Sequence, residues 1–288
     1  MAQAETATTQ DQGSTHLPTH GDLVKRLAET GSGQAPIDVV TFDLYDTLIE
    51  LVPPRWERLA TALANHLGIA ADPAALRSAD VAAEDYYTEE NGGIPIRDRS
   101  LQEQEIFRLE YHRRWCGAAG ITLDAAQIAG VRRAYRAEME ISARWHPYRV
   151  FDDVLPAAQL LQEAGVKRAI ISNADGDVTE FVTHLAIYDA MDAVITSAVV
   201  GWEKPDPRTY HAALDHPAIA VAPGASLHVG DQPRSDVIGA RQVGMRSALI
   251  DRYTRQPADL GRYEPDVRVA SLLDLAEAVV AHNATARG

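Results

Sequence analysis

Four short polar clusters, each closing an apolar run, carry the side chains of this sequence best suited to chemistry. Asp43 ends the run from Ile37 to Phe42, with Thr47 shortly after it. Ser172 and Asn173 close Ala169-Ile170-Ile171, and Lys204 sits in Gly201-Trp202-Glu203-Lys204-Pro205-Asp206 beyond Val194-Ile195-Thr196. Asp231 and, further on, Asp236 follow Leu227-His228-Val229-Gly230. Taken singly, each has a plain structural explanation: turns at Asp43 and at Ser172-Asn173, a surface charge at Lys204, a helix cap at Asp231. Together, in this order, they suit one chemistry. Asp43 would act as a carboxylate nucleophile on an electrophilic phosphorus or carbon, forming a covalent intermediate that water then hydrolyses. A nucleophilic carboxylate, an anionic substrate and further acids repel one another unless cations intervene. Lys204 would supply one positive charge. Mg²⁺ held by Asp43, Asp231, the backbone carbonyl of Tyr45 and, through water, Asp236 would supply the other. The hydroxyls of Thr47 and Ser172 and the amide of Asn173 suit phosphate oxygens.

These groups converge only if the apolar runs are parallel strands of one sheet, whose carboxyl ends share an edge. Ile37, Val39, Val40 and Phe42 make a short run rich in β-branched residues, as expected of a strand buried on both faces. A carboxylate at such a strand end is costly without a cation or hydrogen bonds. After this strand the pattern turns helical. Arg55 to Leu67 carries Trp56, Leu59, Leu63 and Leu67 at spacings of three and four. Asp72-Pro73 marks the N-cap and first position of a helix running towards Tyr87, and Asn91-Gly92-Gly93 with Pro95 breaks the chain. Ser100 to about Cys116 and Asp124 to about Ile141 read as two more helices, the first with a Ser100/Glu103 capping box. From Lys167 strands and helices alternate up to a closing helix, Leu272 to about Ala281, which implies a parallel sheet covered on both faces. The expected fold is α/β: a Rossmann-like parallel core at 36–51 and 147–288 with an inserted all-α unit at 52–146. Residues 1–35, poor in large apolar side chains, read as a disordered tail. Within it the amphipathic stretch Asp22 to Glu29 either folds back onto the body or serves as a partner-binding arm.

From Ile37 to Ala281 the chain resembles the haloacid dehalogenase superfamily. Asp43 and Thr47 match its first motif, Ser172 with Asn173 beside it the second, Lys204 in GWEKPDP the third, and Asp231 with Asp236 in GDQPRSD the fourth. The helical block resembles that superfamily's cap, which would close over the site and choose the substrate. Trp56, Tyr86, Tyr87, Trp115 and Trp145 are its candidates for lining a pocket, against plain core packing. The phosphatases of the superfamily carry a second Asp two residues after the nucleophile as general acid and base. Here that place is Tyr45, and Asp46, one residue on, should point elsewhere. Losing a general acid costs about 10² to 10⁴ in rate. Tyr45 instead resembles the 2-haloacid dehalogenases, which work without metal and bind halide or carboxylate with a cap Arg, for which Arg77 is a candidate. Those enzymes do not keep the acidic pair that Asp231 and Asp236 retain. The resemblance therefore implies Asp43, Lys204 and Thr47 in catalysis, Tyr45, Ser172, Asn173 and Arg77 on the substrate, and Mg²⁺ on Asp43, Tyr45, Asp231 and Asp236. The metal ligands favour a Mg²⁺-dependent phosphatase of small phosphorylated metabolites. The rivals are a metal-independent 2-haloacid dehalogenase and a catalytically weak binding protein of the same fold.

The formal net charge of −14 argues against nucleic acid or an anionic membrane as a partner. A small anionic molecule, phosphate or haloacid, remains, bound by a monomer or a homodimer. Cys116 is the only cysteine, so no intrachain disulfide forms, and a reducing cytoplasm is the simplest compartment. No apolar stretch approaches the ~20 residues of a membrane span, and the amino terminus lacks a signal pattern.

Overall fold

The computed structural model describes residues 18–30, 35–141 and 147–288, with the side chains of 138–141 excepted. Its first part runs α1 (His20–Glu29), β1 (Val39–Phe42), β2 (Ile49–Leu51), α2 (Arg55–Leu67), α3 (Pro73–Gly93), α4 (Leu101–Ala118), α5 (Ala125–Ile141) and β3 (Tyr148–Val150). Then follow α6 (Val154–Glu163), β4 (Lys167–Ser172), α7 (Thr179–His184), β5 (Ala193–Thr196), α8 (Ser197–Val200) and α9 (Pro207–Leu214). The chain closes with β6 (Ser226–Gly230), α10 (Ile238–Gln242), β7 (Arg246–Ile250), β8 (Val267–Val269) and α11 (Leu272–Arg287).

Among the described residues, six strands form one parallel sheet in the order β5-β4-β1-β6-β7-β8. β1 pairs on both sides, Val39 to Lys167 and Ser226, Phe42 to Ile170 and Val229. Every residue of β1 is buried, as a strand with helices over both faces requires. Its side chains alternate: Val40 and Phe42 join the core beneath α1, α6 and α11, while Val39 packs with Ile171 and Tyr210 on the opposite face. From β1 the chain winds outward through β4 and β5, then returns to build β6, β7 and β8 on the other side. The winding reverses at β1, so the carboxyl end of that strand faces the crevice where open α/β sheets bind ligands.

A two-stranded antiparallel ribbon, β2 with β3, pairs Ile49 to Val150 and Leu51 to Tyr148. Three residues a strand are too few for a readable alternation, and the sequence pattern did not announce it. Between its strands lie α2 to α5, an all-α insertion with its own core around Leu59, Leu63, Leu76, Trp115 and Val131, all fully buried. The expected start signals form: the Ser100/Glu103 capping box opens α4, and Asp72 caps α3 with Pro73 at its first position.

Two helices outrun their sequence signals. α3 continues through Asn91-Gly92-Gly93 because Asn91 is held from outside. Its side-chain oxygen accepts from the Ile96 N–H at 2.6 Å and its amide donates to Glu203, offsetting the ~1 kcal/mol helix penalty of each glycine. α11 extends to Arg287, anchored where Asn283 bonds both the N–H and the carbonyl of Ile37 at 2.7 Å. Asp22 to Glu29 folds back as most of α1, which begins at a Thr19/Asp22 capping box and buries Leu23 and Leu27 in the core shared with α11. Each leucine contributes about 2 kcal/mol of burial. The rest of the expected tail, 1–17 and 31–34, and Trp145 lie outside the described residues. Among the described residues no helix is long and apolar enough to cross a membrane.

Candidate active site

Asp43 follows β1 directly, and its N–H still donates to the Val229 carbonyl at 2.8 Å, so the ladder with β6 fixes its backbone. Its side chain accepts from Lys204 Nζ at 2.6 Å, and only 9% of the residue is exposed. The chain then turns sharply. Asp46 has φ of 57°, a left-handed conformation that Asp tolerates better than most residues, and its N–H donates to the Ile49 carbonyl at 2.7 Å. Tyr45 leans into an aromatic group, edge-on to Tyr148 at 5.7 Å and stacked with Phe181 at 6.3 Å. The Asp46 side chain meets Arg55, whose Nη2 lies 2.8 Å from Asp46 Oδ2.

Lys204 is placed by the loop after α8. Gly201, at φ of 86°, ends that short helix and releases the chain. Asn173 then staples the Lys204 main chain, its Nδ2 donating to the carbonyl at 2.9 Å and its Oδ1 accepting from the N–H at 2.8 Å. Asn173 thus positions the lysine, and it also lines the cavity over Asp43 and Lys204. Lys204 Nζ donates to both Asp43 and Asp236, the latter at 2.7 Å.

Asp231 follows β6, and a wide helical turn (Pro233–Val237) carries Asp236 back beneath it. The approach is close enough that a Cβ on Gly230 would lie 2.2 Å from Asp236 Cγ, so only glycine fits. Asp236 Oδ1 accepts from His228 Nε2 at 3.1 Å, and His228 Nδ1 in turn accepts from the Thr41 hydroxyl at 2.8 Å. Asp236 Oδ2 accepts from the Gln232 N–H at 2.9 Å. Asp231 Oδ2 accepts from Arg255 Nη2 at 2.6 Å and Gln232 Nε2 at 3.0 Å.

Burial pushes the Asp43 carboxyl up to about 6 against the pull of Lys204. Burial works against the Asp236 carboxylate too, but Lys204 and the His228 bond hold it well below the usual range. Lys204, desolvated yet flanked by Asp236 and Asp43, is kept above its ordinary value and so stays charged. Burial raises Asp231, with Arg255 opposing. One oxygen each from Asp43, Asp231 and Asp236 lies within 4.8 Å of the others. Three hard carboxylate oxygens this close fit Mg²⁺, which binds such ligands at about 2.1 Å and keeps several waters. The hydroxyls of Thr47 and Ser172 are buried without a hydrogen-bond partner. Each would be satisfied by an acceptor brought within reach of it.

A cavity of about 1110 Å³ opens over Asp43, Lys204 and Asp231, while Asp236, Thr47 and Ser172 are buried and are not among its lining residues. Asp43, Tyr45, Lys204 and Asp231 line it from the sheet, and Trp56, Tyr87 and Arg108 from the helical insertion. Arg77 does not line it: Glu84 and Tyr87 are the parts of α3 that reach the cavity, and Arg77 lies two turns before Glu84. Arg55, Arg108, Arg132 and Arg136 line it instead. Of the aromatic candidates, Trp115 is fully buried in the core of the insertion, and Tyr86 is buried and stacked on Phe107 at 5.1 Å. Sequence reasoning also missed His228, Glu203 and Arg255. A histidine inside the buried run before Gly230-Asp231 is a signal that could have been read, whereas Arg255 sits in a loop with no motif around it.

Known proteins place this geometry. Residues 37–244, most of the chain, match the profile of the haloacid dehalogenase-like hydrolases. Human haloacid dehalogenase-like hydrolase domain-containing protein 3 is 30% identical over 220 residues, covering 74% of this chain and 82% of that protein. A phosphoserine phosphatase from Thermus thermophilus is 38% identical over 118 residues, 40% of this chain and 46% of the relative. The fold is shared with a solved L-2-haloacid dehalogenase, at TM-score 0.55 and 20% identity over 85% of this chain and 99% of that one. It is shared as well with a predicted phosphoglycolate phosphatase from Haemophilus somnus, at TM-score 0.54 and 15% identity over 83% and 96%. With the parallel sheet, the helical insertion and a match across most of its length, this chain belongs to the haloacid dehalogenase-like hydrolases.

Proposed function

We propose that this hydrolase cleaves small phosphate monoesters through a covalent intermediate on Asp43, with Mg²⁺ held by Asp43, Asp231, the Tyr45 carbonyl and, through water, Asp236. The observation that carries the reading is the convergence of Asp43, Asp231 and Asp236 oxygens within 4.8 Å beside the Lys204 ammonium. Three buried carboxylates share two cations, Lys204 on Asp43 and Asp236 and Arg255 on Asp231, which leaves room for a further cation, and the phosphatase named among the relatives adds support. When bound, the ion would add positive charge at the phosphoryl oxygens.

The residues then have definite tasks. The Asp43 carboxylate attacks phosphorus and the P–O bond to the leaving group breaks, giving an acyl phosphate. Lys204, bonded to Asp43 and Asp236, stays protonated and offsets charge on the phosphoryl oxygens. Thr47 and Ser172 donate their unpartnered hydroxyls to the same group. Water attacks the acyl phosphate at phosphorus, the bond to Asp43 breaks, and phosphate leaves with the carboxylate restored. Tyr45 is a weak acid, and burial pushes its hydroxyl higher still. The leaving oxygen is therefore protonated by solvent, and phenolates or the carboxylates of acyl phosphates depart more readily than alkoxides. Residues 52–146 would act as the cap on a core of 36–51 and 147–288, excluding bulk water and selecting the substrate. Buried, unpaired Cys116 fits a cytoplasmic enzyme.

A phosphate-release screen over alkyl, aryl and acyl phosphates tests this, with Asp43→Asn as the blank. Turnover is expected only with Mg²⁺ and Asp43 present, and undiminished turnover in EDTA sinks the metal assignment. Tyr45 favours a second reading, a 2-haloacid dehalogenase. Halide release from 2-chloropropionate, unaffected by EDTA, would install it.

A further inference from the structure

The helical insertion meets the rim of the sheet through buried charge. Asp80 of α3, with no exposed surface, accepts from Arg55 Nε at 3.0 Å and from Arg255 Nη1 at 2.5 Å. Arg255, 8% exposed, comes from the loop after β7, on the other side of the interface. Its second nitrogen, Nη2, donates to Asp231 Oδ2 at 2.6 Å. Asp46 Oδ2 lies 3.5 Å from Arg255 Nη1 and 2.8 Å from Arg55 Nη2. One guanidinium is therefore divided between an acid of the insertion and an acid of the candidate metal cluster. All three partners are buried, so water cannot take the place of either carboxylate while the surfaces stay together.

We propose that Arg255 is a positioning residue that couples docking of α3 to the divalent-cation affinity of the Asp43/Asp231/Asp236 cluster. The inference rests on the metal-dependent reading above. A guanidinium on Asp231 opposes a dication at the same carboxylate, because each neutralises the charge the other needs. With α3 docked, Asp80 holds one side of Arg255 and shares its charge. With α3 lifted, Asp80 leaves and Arg255 is left to Asp231 and, at longer range, Asp46, so more of its charge falls on Asp231. The docked form thus binds the cation more tightly, and by linkage the cation favours docking by the same factor. Tyr87 and Arg108 of the insertion line the cavity, so the form that binds the ion is also the one that encloses substrate.

Calorimetric titration of the full chain with MgCl₂, without substrate, tests the coupling. Asp80→Asn should weaken Mg²⁺ binding about tenfold, a typical size for coupling between sites. In an Arg255→Gln background the same change should shift affinity by less than about twofold. The second comparison separates the device from simple attraction of Asp80 for the ion, which would persist without Arg255. An unshifted affinity in Asp80→Asn, or an equal shift in both backgrounds, overturns the coupling while leaving the metal site standing. Unaltered protein that binds no Mg²⁺ overturns both. Should Asp80→Asn fail to fold, hydrogen exchange on the unaltered protein decides: Mg²⁺ should slow amide exchange in α3, and exchange indifferent to Mg²⁺ overturns the proposal.

Discussion

Thr47 and Ser172 each bury a hydroxyl that bonds to nothing in the protein. An unsatisfied buried hydroxyl costs about 1–3 kcal/mol. On the proposed phosphatase reading, that cost in stability keeps the two hydroxyls ready for an oxyanion. Ser172→Ala should therefore leave the unfolding midpoint unchanged or raised while weakening inorganic phosphate or vanadate binding about tenfold, the worth of one such bond. A loss of stability with unchanged anion affinity would make Ser172 a packing residue. Tyr45 supports a second experiment. Tyr45→Asp restores an acid two residues after the nucleophile and should raise the alkyl-to-aryl phosphate activity ratio by up to about 10². It also forfeits the ring contacts with Tyr148 and Phe181, a loss of about 1–3 kcal/mol of stability. An unchanged ratio in a folded variant would mean that another group already protonates the leaving oxygen. Asp43 and Lys204 were legible at this scale because each ends or follows a recognisable apolar run. Arg255 and Glu203 were not, because their partners Asp80, Asn91 and Arg97 lie far away along the chain.

α3 carries much of the contact between insertion and sheet. Asp80 meets Arg255, and Asp85 pairs with Arg234 of the Asp231–Asp236 loop at 2.7 Å. Asn91 and, just beyond the helix, Arg97 hold Glu203, the neighbour of Lys204. Burial pushes the Glu203 carboxyl up to about 7, with Arg97 opposing and Asp175 and Asp98 adding to the rise. Its folded value exceeds the unfolded one of about 4.3, so its contribution to stability is fully present below pH ~4 and is lost as pH rises through about 7. Between pH 5 and 8 the native protein should lose on the order of 3 kcal/mol more stability than Glu203→Gln, in which this titration is absent. Urea midpoints at the two pH values measure it. Identical pH dependence in the two proteins would show that Glu203 stays ionised in its pocket. The start of α3 was readable from Asp72-Pro73, but its end was not. Local propensity ends the helix at Asn91-Gly92-Gly93, and bonds to Glu203 and Ile96 carry it on.

At the scale of the molecule, the net charge of −14 coexists with a cavity lined by both signs, where Lys204 and four arginines stand among acids that include Asp43 and Asp231. The alternation of strands and helices, the all-α insertion and the four polar strand ends follow from local patterns: hydrophobic period, caps and the placement of Asp, Ser, Lys and Gly. These suffice for the fold, because a parallel sheet buried on both faces leaves few other arrangements for such runs. Tertiary structure alone decided the rest. It set which carboxylate pairs with which cation, that Asn173 grips the Lys204 main chain, that Arg77 is not among the cavity's lining residues, and that Arg255 is shared between α3 and Asp231. The physical reason is range: hydrophobic period and capping act within a turn or two of the chain, whereas a buried charge is settled by whichever opposite charge the fold brings within about 3 Å.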